Sequence, residues 1–522
     1  MAEHILAIDL GTSGPKVALF TMRGELLDWE VDVAPLVLLP GGGAEQDPDD
    51  WWAAIVRATR RLLARNLASV ESITALACTA QWGGTVAVDR RSRHLMNAVI
   101  WADARGAPYV QAVTGGPLRI MGYGVDKLWH WLRTTGGIPT RSGKDPIAHI
   151  LFMKYERPEI YRAAYKFLDI KDAFNARLTG RFVSSPDTMT VHWVTDNRNI
   201  HAIDYDAGLL RLVGVEREKL PDLAPAPSVA GELLPEAAVE LGLSPRVRVI
   251  VGSSDLLCAA VGSGAVLDFA PHITIGTSAW LMAHTPFRKS DLINNMATLP
   301  AAIPGRYILA NEQDVAGGAL NWLKENILYP DDALSVAPAP DDAFARLNRL
   351  AEETPPGSDK VIFTPWLNGE RSPVEDHRAR GGFHNLSLHT TRAHLCRAVM
   401  EGVALNLRWL RGPVEKNLGQ SIGAIRIVGG GAQSAVWCQI CADVLDRPIL
   451  QVESPRLAVA RGAALIGLLA LGKIRVDEIP QHTPVAATFQ PNPAHRNLYD
   501  ELFHEFVTLY KKNKAIYGRL NR

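Results

Sequence analysis

Short apolar runs at residues 5–8 and 17–21 flank the turn Asp9-Leu10-Gly11-Thr12-Ser13-Gly14. Runs at 272–275 and 280–283 flank Ile275-Gly276-Thr277-Ser278 in the same way. Each pattern predicts a β-hairpin closed by a Gly-Thr-Ser turn. After the first hairpin, the pattern predicts a strand over 26–33 and a helix opening at Asp47-Pro48-Asp49-Asp50, where acidic residues and proline suit a first turn. A strand over 73–78 leads into Thr79-Ala80-Gln81-Trp82-Gly83-Gly84, and 85–88 resumes a strand. Residues 115–146 show no clear period and read as an irregular excursion. Helical patterns return at 147–155 and 158–165, and the proline-rich 221–235 reads as a surface connection. The apolar strand 247–251 runs into Gly252-Ser253-Ser254-Asp255 and a helical run over 256–261.

Gly262-Ser263-Gly264 is the expected lobe boundary, dividing the chain into 1–264 and 265–522. Beyond it, strands (307–310, 361–363, 425–428) alternate with helices (317–326, 391–410, 435–445, 458–471). That alternation predicts α/β layers in both lobes. The similar hairpins suggest that the lobes are distant structural repeats.

A chain of 522 residues exceeds what one core supports, which agrees with two lobes. Lys plus Arg equals Asp plus Glu at 55 each, so no global field favours nucleic acid or an anionic membrane. The longest apolar run, 457–471, is broken by Arg461, Gly462 and Gly467 and reads as a buried helix, not a membrane span. The five cysteines sit in apolar surroundings, and a reducing, cytoplasmic setting is expected. Cys438 and Cys441 have the spacing of a metal or redox pair, but lie in a helical run without a second pair and read as structural.

Within this frame the two turns carry the first chemical suggestion. Glycine lets backbone approach a phosphate, and exposed amides carry partial positive charge. One such turn in each lobe suggests two lobes gripping one polyphosphate. Asp9, where the first strand enters its turn, suits a water-mediated Mg²⁺ contact beside phosphates, or an Asx-type turn. Lys16 reads as an exposed strand lysine. Asp255 follows a buried strand and opens a helix, so it is either a base acting on a substrate hydroxyl or a simple helix N-cap. Gly429-Gly430-Gly431-Ala432 follows a strand and opens a helix, and Gly317-Gly318 precedes another; each is a close-approach position or a turn. Neither common nucleotide motif of the Gly-x-Gly-x-x-Gly or Gly-Lys-Ser/Thr type is present. Trp82, Asp103 and Arg105 could face a sugar; the bland alternatives are a core tryptophan and a structural ion pair.

In order along nearly the whole chain come Ala7-Ile8-Asp9-Leu10-Gly11-Thr12-Ser13-Gly14, Trp101-Ala102-Asp103-Ala104-Arg105 and Gly252-Ser253-Ser254-Asp255. Then follow Gly317-Gly318-Ala319-Leu320-Asn321-Trp322, Pro365-Trp366-Leu367-Asn368-Gly369-Glu370-Arg371-Ser372-Pro373 and Gly429-Gly430-Gly431-Ala432. This series resembles the FGGY carbohydrate kinases, especially xylulokinase-like members. The resemblance implies a two-lobed, actin-like (ribonuclease H-like) α/β fold with ATP in the interlobe cleft. It implies Asp255 as catalytic base and Asp9 as the Mg²⁺-associated residue. Gly11, Thr12, Ser13, Gly276, Thr277 and Gly317 fall on phosphate-side positions, and Gly430, Gly431 and Ala432 on the nucleoside loop. Gln81, Trp82, Gly83, Asp103, Arg105 and Asp255 fall on the sugar side. The implied partner is a small-molecule sugar, D-xylulose by default, with a homodimer compatible with the resemblance. Another sugar, polyol, sugar acid or glycerol, or an actin-like ATPase that regulates a partner, are the competing expectations. One departure bears on the acceptor: the family's usual Met-His is Trp82-Gly83 here.

Overall fold

The first Gly-Thr-Ser turn closes a hairpin between strands His4–Gly11 and Gly14–Thr21, paired antiparallel from His4↔Thr21 to Gly11↔Gly14. Gly14 has φ +132°, and a Cβ there would lie 2.2 Å from the Asp32 carbonyl oxygen, so only glycine fits. The computed structural model describes residues 3–334 and 337–521. Leu26–Val31 pairs antiparallel with the second strand, while Ile73–Ala80 runs parallel to the first. Arg248–Ile250 is parallel to Ile73–Ala80, and Val229–Glu232 closes the six-stranded sheet antiparallel at its edge.

The second Gly-Thr-Ser turn joins Pro271–Ile275 to Ala279–Thr285 within an eight-stranded sheet. Here too a third antiparallel strand, Tyr307–Ala310, flanks the hairpin on one side. Ile425–Val428 and Ile449–Val452 follow in parallel on the other side, and Val485–Phe489 closes that edge antiparallel. Six strands of each sheet therefore share one order and one set of directions. This repeated α/β sheet is the two-lobed actin-like architecture that the family resemblance implies.

The halves meet where helix Asp255–Gly262 crosses helix Ala458–Ala470. A Cβ on Gly262 would lie 1.8 Å from the Ala458 carbonyl, and one on Gly462 would lie 1.8 Å from that of Cys258. The two glycines thus let the helices touch backbone to backbone. Helix Ala458–Ala470 also rests on the first sheet, with Ile5, Ala7, Ala77 and Ile250 sharing one apolar core with Ala460, Ala463 and Ile466. Arg461, which seemed to interrupt an apolar run, turns its guanidinium to the Glu453 carbonyl at 2.8 Å.

Two expectations need correction. The stretch 115–146 contains a short hairpin, Arg119–Ile120 with Tyr123–Gly124, followed by helix Val125–Thr134. Its period was masked because Trp131 is fully buried while Trp129 is 68% exposed, so two tryptophans point in opposite directions. The proline-rich 221–235 contributes the edge strand Val229–Glu232, where a missing ladder partner on one side is tolerated. Cys438 and Cys441 are buried on helix Ala435–Leu445, and all five cysteines are unpaired.

Candidate active site

The carboxyl ends of the parallel strands gather the candidate residues, as expected for layered α/β sheets. In the first sheet, His4–Gly11 ends at Asp9 to Ser13, Ile73–Ala80 ends at Gln81 to Gly83, and Arg248–Ile250 leads to Asp255. In the second, Pro271–Ile275 ends at Gly276 and Thr277, and Ile425–Val428 ends at Gly429 to Ala432.

Asp255 is the first residue of its helix, with Ser254 at the capping position. One carboxyl oxygen accepts from the Leu256 amide at 2.8 Å, and the side chain retains partial exposure. It is therefore not an N-cap. Burial, then the charge of Asp9, pushes its carboxyl up to about 7; the amides of Leu256 and Trp82 and the Lys16 ammonium pull the other way. A carboxyl poised there can exchange a proton near neutral pH.

Lys16 is not simply exposed. Its Nζ donates to the buried Asp9 at 2.9 Å, because Asp9 and Lys16 are directly opposed in the hairpin. The tight turn fixes that register, so the pairing could have been inferred from equal spacing about the turn. The donor set at the cleft is thus Asp9 and Asp255, with Lys16 as the counter-charge. Among the described residues no cage of three or more metal-ligating side chains surrounds Asp9; the one such cluster, Asp47, Asp49 and His94, lies elsewhere. One or two carboxylates without a cage fit Mg²⁺ that keeps its waters and shares phosphate oxygens.

The first turn is held by side chains. Thr12 Oγ1 donates to Gln81 Oε1 at 2.9 Å and accepts from the Trp101 indole at 3.1 Å. Gln81 in turn donates to Gln46, which reaches the Thr12 carbonyl at 2.9 Å. Thr12 and Gln81 therefore use their side chains on each other, and the Thr12 and Ser13 carbonyls are taken by Gln46 and the Ala34 amide, so the turn has its backbone amides to offer a ligand at the exposed Ser13. Gln46 and Trp101 were not anticipated in this bracing role.

The second turn is braced by helix Gly317–Leu323. The amides of Gly317 and Gly318 donate to the carbonyls of Gly276 and Thr277 at 2.9 and 3.1 Å. A Cβ on Gly317 would lie 2.4 Å from the Gly276 carbonyl, so this glycine serves the close approach of helix and turn. Gly431 packs likewise on Ile275, and Ala432 is buried, whereas Gly430 faces open space. Gly430 is the position where a flat ring could lie against backbone.

Both halves of the chain match one family. Residues 4–262 match the N-terminal domain, and 272–471 the C-terminal domain, of the FGGY family of carbohydrate kinases. The chain belongs to that family. Among its relatives, xylulose kinase of Bacillus subtilis (strain 168) is 25% identical over 523 residues, covering 98% of each chain. Gluconokinase of the same organism is 25% identical over 493 residues, covering 93% of this chain and 92% of the other. Ligand-bound xylulose kinase from Lactobacillus acidophilus superposes with a TM-score of 0.84 at 25% identity, covering 99% of this chain and 100% of that one. The protein is a phosphotransferase acting on a sugar hydroxyl.

Of the residues expected on the sugar side of this FGGY kinase, Asp103 and Arg105 bond to each other. Arg105 Nε donates to Asp103 at 2.9 Å, and its Nη2 reaches Glu45 at 2.6 Å. Asp103 is fully buried and also takes the Ala44 amide at 2.8 Å. This is the ion-pair alternative that the sequence left open. Trp82 is half-buried and donates its indole N–H to the Thr188 carbonyl at 2.9 Å, while its backbone amide acts on the Asp255 carboxyl. Gly83 has φ +85°, and a Cβ there would meet only the Trp101 Cβ at 3.8 Å. Its amide donates to Asp169 Oδ2 at 3.2 Å. Sequence reasoning missed Asp169, since an aspartate before a helix is an ordinary capping residue.

Among the described residues, no helix is long and apolar enough to cross a membrane. Two surface hollows of about 680 and 530 Å³ lie around Arg90, Tyr165 and Lys219 and around Arg211 and Arg217. Neither touches Asp9, Asp255 or the two Gly-Thr-Ser turns.

Proposed function

We propose that this kinase transfers the γ-phosphoryl group of ATP to a hydroxyl of a ketose such as D-xylulose. The observation that carries the reading is Asp255: a carboxyl that opens a helix beyond the carboxyl end of strand Arg248–Ile250, raised to about 7 by burial and by the charge of Asp9. As the acceptor oxygen attacks phosphorus in line, Asp255 takes its proton, while backbone amides of both turns bind the phosphates. Asp9 would hold Mg²⁺ through water, and the ion, when bound, offsets charge on the phosphate oxygens. The nucleoside would lie against Gly430. Residues 1–264 would carry the sugar side and 265–522 the nucleoside side. The backbone-to-backbone crossing at Gly262 and Gly462 supports a joint about which the lobes could close and exclude water. Five buried, unpaired thiols support a reducing compartment such as the cytoplasm.

The name of the Bacillus subtilis gluconokinase makes a sugar acid the second reading. A panel of ketoses, polyols, aldonates and glycerol, followed by coupled ADP detection, separates these. The expected result is fastest turnover with a ketose. ADP release at the same rate with no acceptor would instead fit an actin-like ATPase.

A further inference from the structure

Asp169 follows the short strand Lys166–Leu168 and stands at the N-cap of helix Ile170–Thr179. It makes no capping bond to that helix. Its side chain turns away, and Oδ2 accepts from the Gly83 amide at 3.2 Å. Oδ1 has no hydrogen-bond partner, although the residue is fully buried. A buried carboxyl oxygen left unpaired is costly, so such an atom marks a place for a missing donor. The nearby cation does not supply it, because Lys171 Nζ is taken by Asp172 and by the Val251 carbonyl at 3.0 Å. Gly83 is buried, yet a Cβ there would meet only Trp101, at 3.8 Å, which leaves space beside the glycine. Burial, then the Asp172 charge, pushes the Asp169 carboxyl well above its usual range, and the Asp255 charge adds to this.

Resting on the sugar-kinase reading above, we propose that Asp169 is a specificity-determining residue: its free Oδ1 receives a hydroxyl of the acceptor at the Gly83 corner. It thereby selects uncharged, hydroxyl-bearing acceptors over sugar acids. A hydroxyl suits the carboxyl in either protonation state, since it can donate or accept. A carboxylate in the same place would face the charge of Asp255. It would push Asp255 further up, away from the ionised form that a base requires. Lys16, the counter-charge at the cleft, is already bonded to Asp9.

The test compares wild type with Asp169→Ala and Asp169→Asn, using a neutral ketose, its single-deoxy analogues and gluconate as acceptors. Wild type is expected to favour the ketose over gluconate, and Asp169→Ala to raise KM for the ketose by about 10-fold or more. KM for ATP should stay within about 2-fold, which a merely structural defect would not spare. Asp169→Asn, which keeps the shape and replaces the carboxyl with an amide, should raise the ketose KM and so narrow the gap between ketose and gluconate. One deoxy analogue should lose as much with wild type as the parent ketose loses with Asp169→Ala, a comparison that stands even if the alanine variant fails to fold. An unchanged ketose KM in Asp169→Asn with no sensitive deoxy position, or a wild-type preference for gluconate, would overturn the proposal. Wild type that phosphorylates none of the acceptors would overturn the kinase reading itself, a different and distinguishable failure.

Discussion

At Asp255 a single carboxyl meets opposing influences whose balance sets its chemistry. Burial and Asp9 raise it to about 7, while Lys16 and two amides restrain it. The ionised form is the base, so kcat/KM should fall as pH drops through about 7. Replacing Asp9 with Asn removes a raising charge and should move that limb to lower pH in a pH–rate profile. Asp103 and Arg105 lead to a different expectation. Arg105→Ala would leave Asp103 buried without its cation and cost about 3–5 kcal/mol in denaturant unfolding. The loss should appear as stability, with the sugar KM of the folded fraction little changed. Sequence pattern could place Asp103 and Arg105 near each other, since they are two residues apart. It could not place Glu45, which completes the pair from a distant strand.

Elements were legible where local chemistry dictated them. The Gly-Thr-Ser hairpins, the helix after Asp47 and the strand before Asp255 all follow from turn residues and apolar runs. Asp47 caps its helix through the Asp49 amide at 2.8 Å, as its position suggests. The edge strand Val229–Glu232 and helix Val125–Thr134 were illegible because their order comes from tertiary pairing and not from a clean period. Asp169 was illegible for a related reason: only the fold brings it to Gly83. The crossing of helices Asp255–Gly262 and Ala458–Ala470 also depends on sequence-distant partners. Gly462→Ala should force those helices apart at the joint and destabilise the fold by about 3 kcal/mol or more, read by denaturant unfolding.

Across the whole molecule, one sheet order appears twice, and each copy brings a Gly-Thr-Ser turn to the same end of its sheet. The second copy is anchored by Glu370, whose buried carboxyl is pushed up to about 8 by burial. It accepts from Asn406 at 2.5 Å and from the Arg371 and Asp314 amides, tying a loop to helix Arg392–Leu418. The folded chain holds this proton where the unfolded chain has lost it. Its contribution to stability is therefore complete below the ordinary value of 4.5 and declines as pH rises through about 8. Glu370→Gln should flatten that decline in melting curves taken from pH 5 to about pH 8.

The central claim is that the paired turns present ATP to a hydroxyl whose proton Asp255 removes. Its most direct test is sugar-dependent ADP formation by wild type and Asp255→Asn, with ATP binding measured alongside by calorimetry. The expected result is sugar phosphate formed one-for-one with ADP in wild type. In the variant, turnover should fall by about 10³-fold or more with ATP affinity retained. Near-normal turnover by Asp255→Asn, or ADP formation indifferent to sugar, would contradict it.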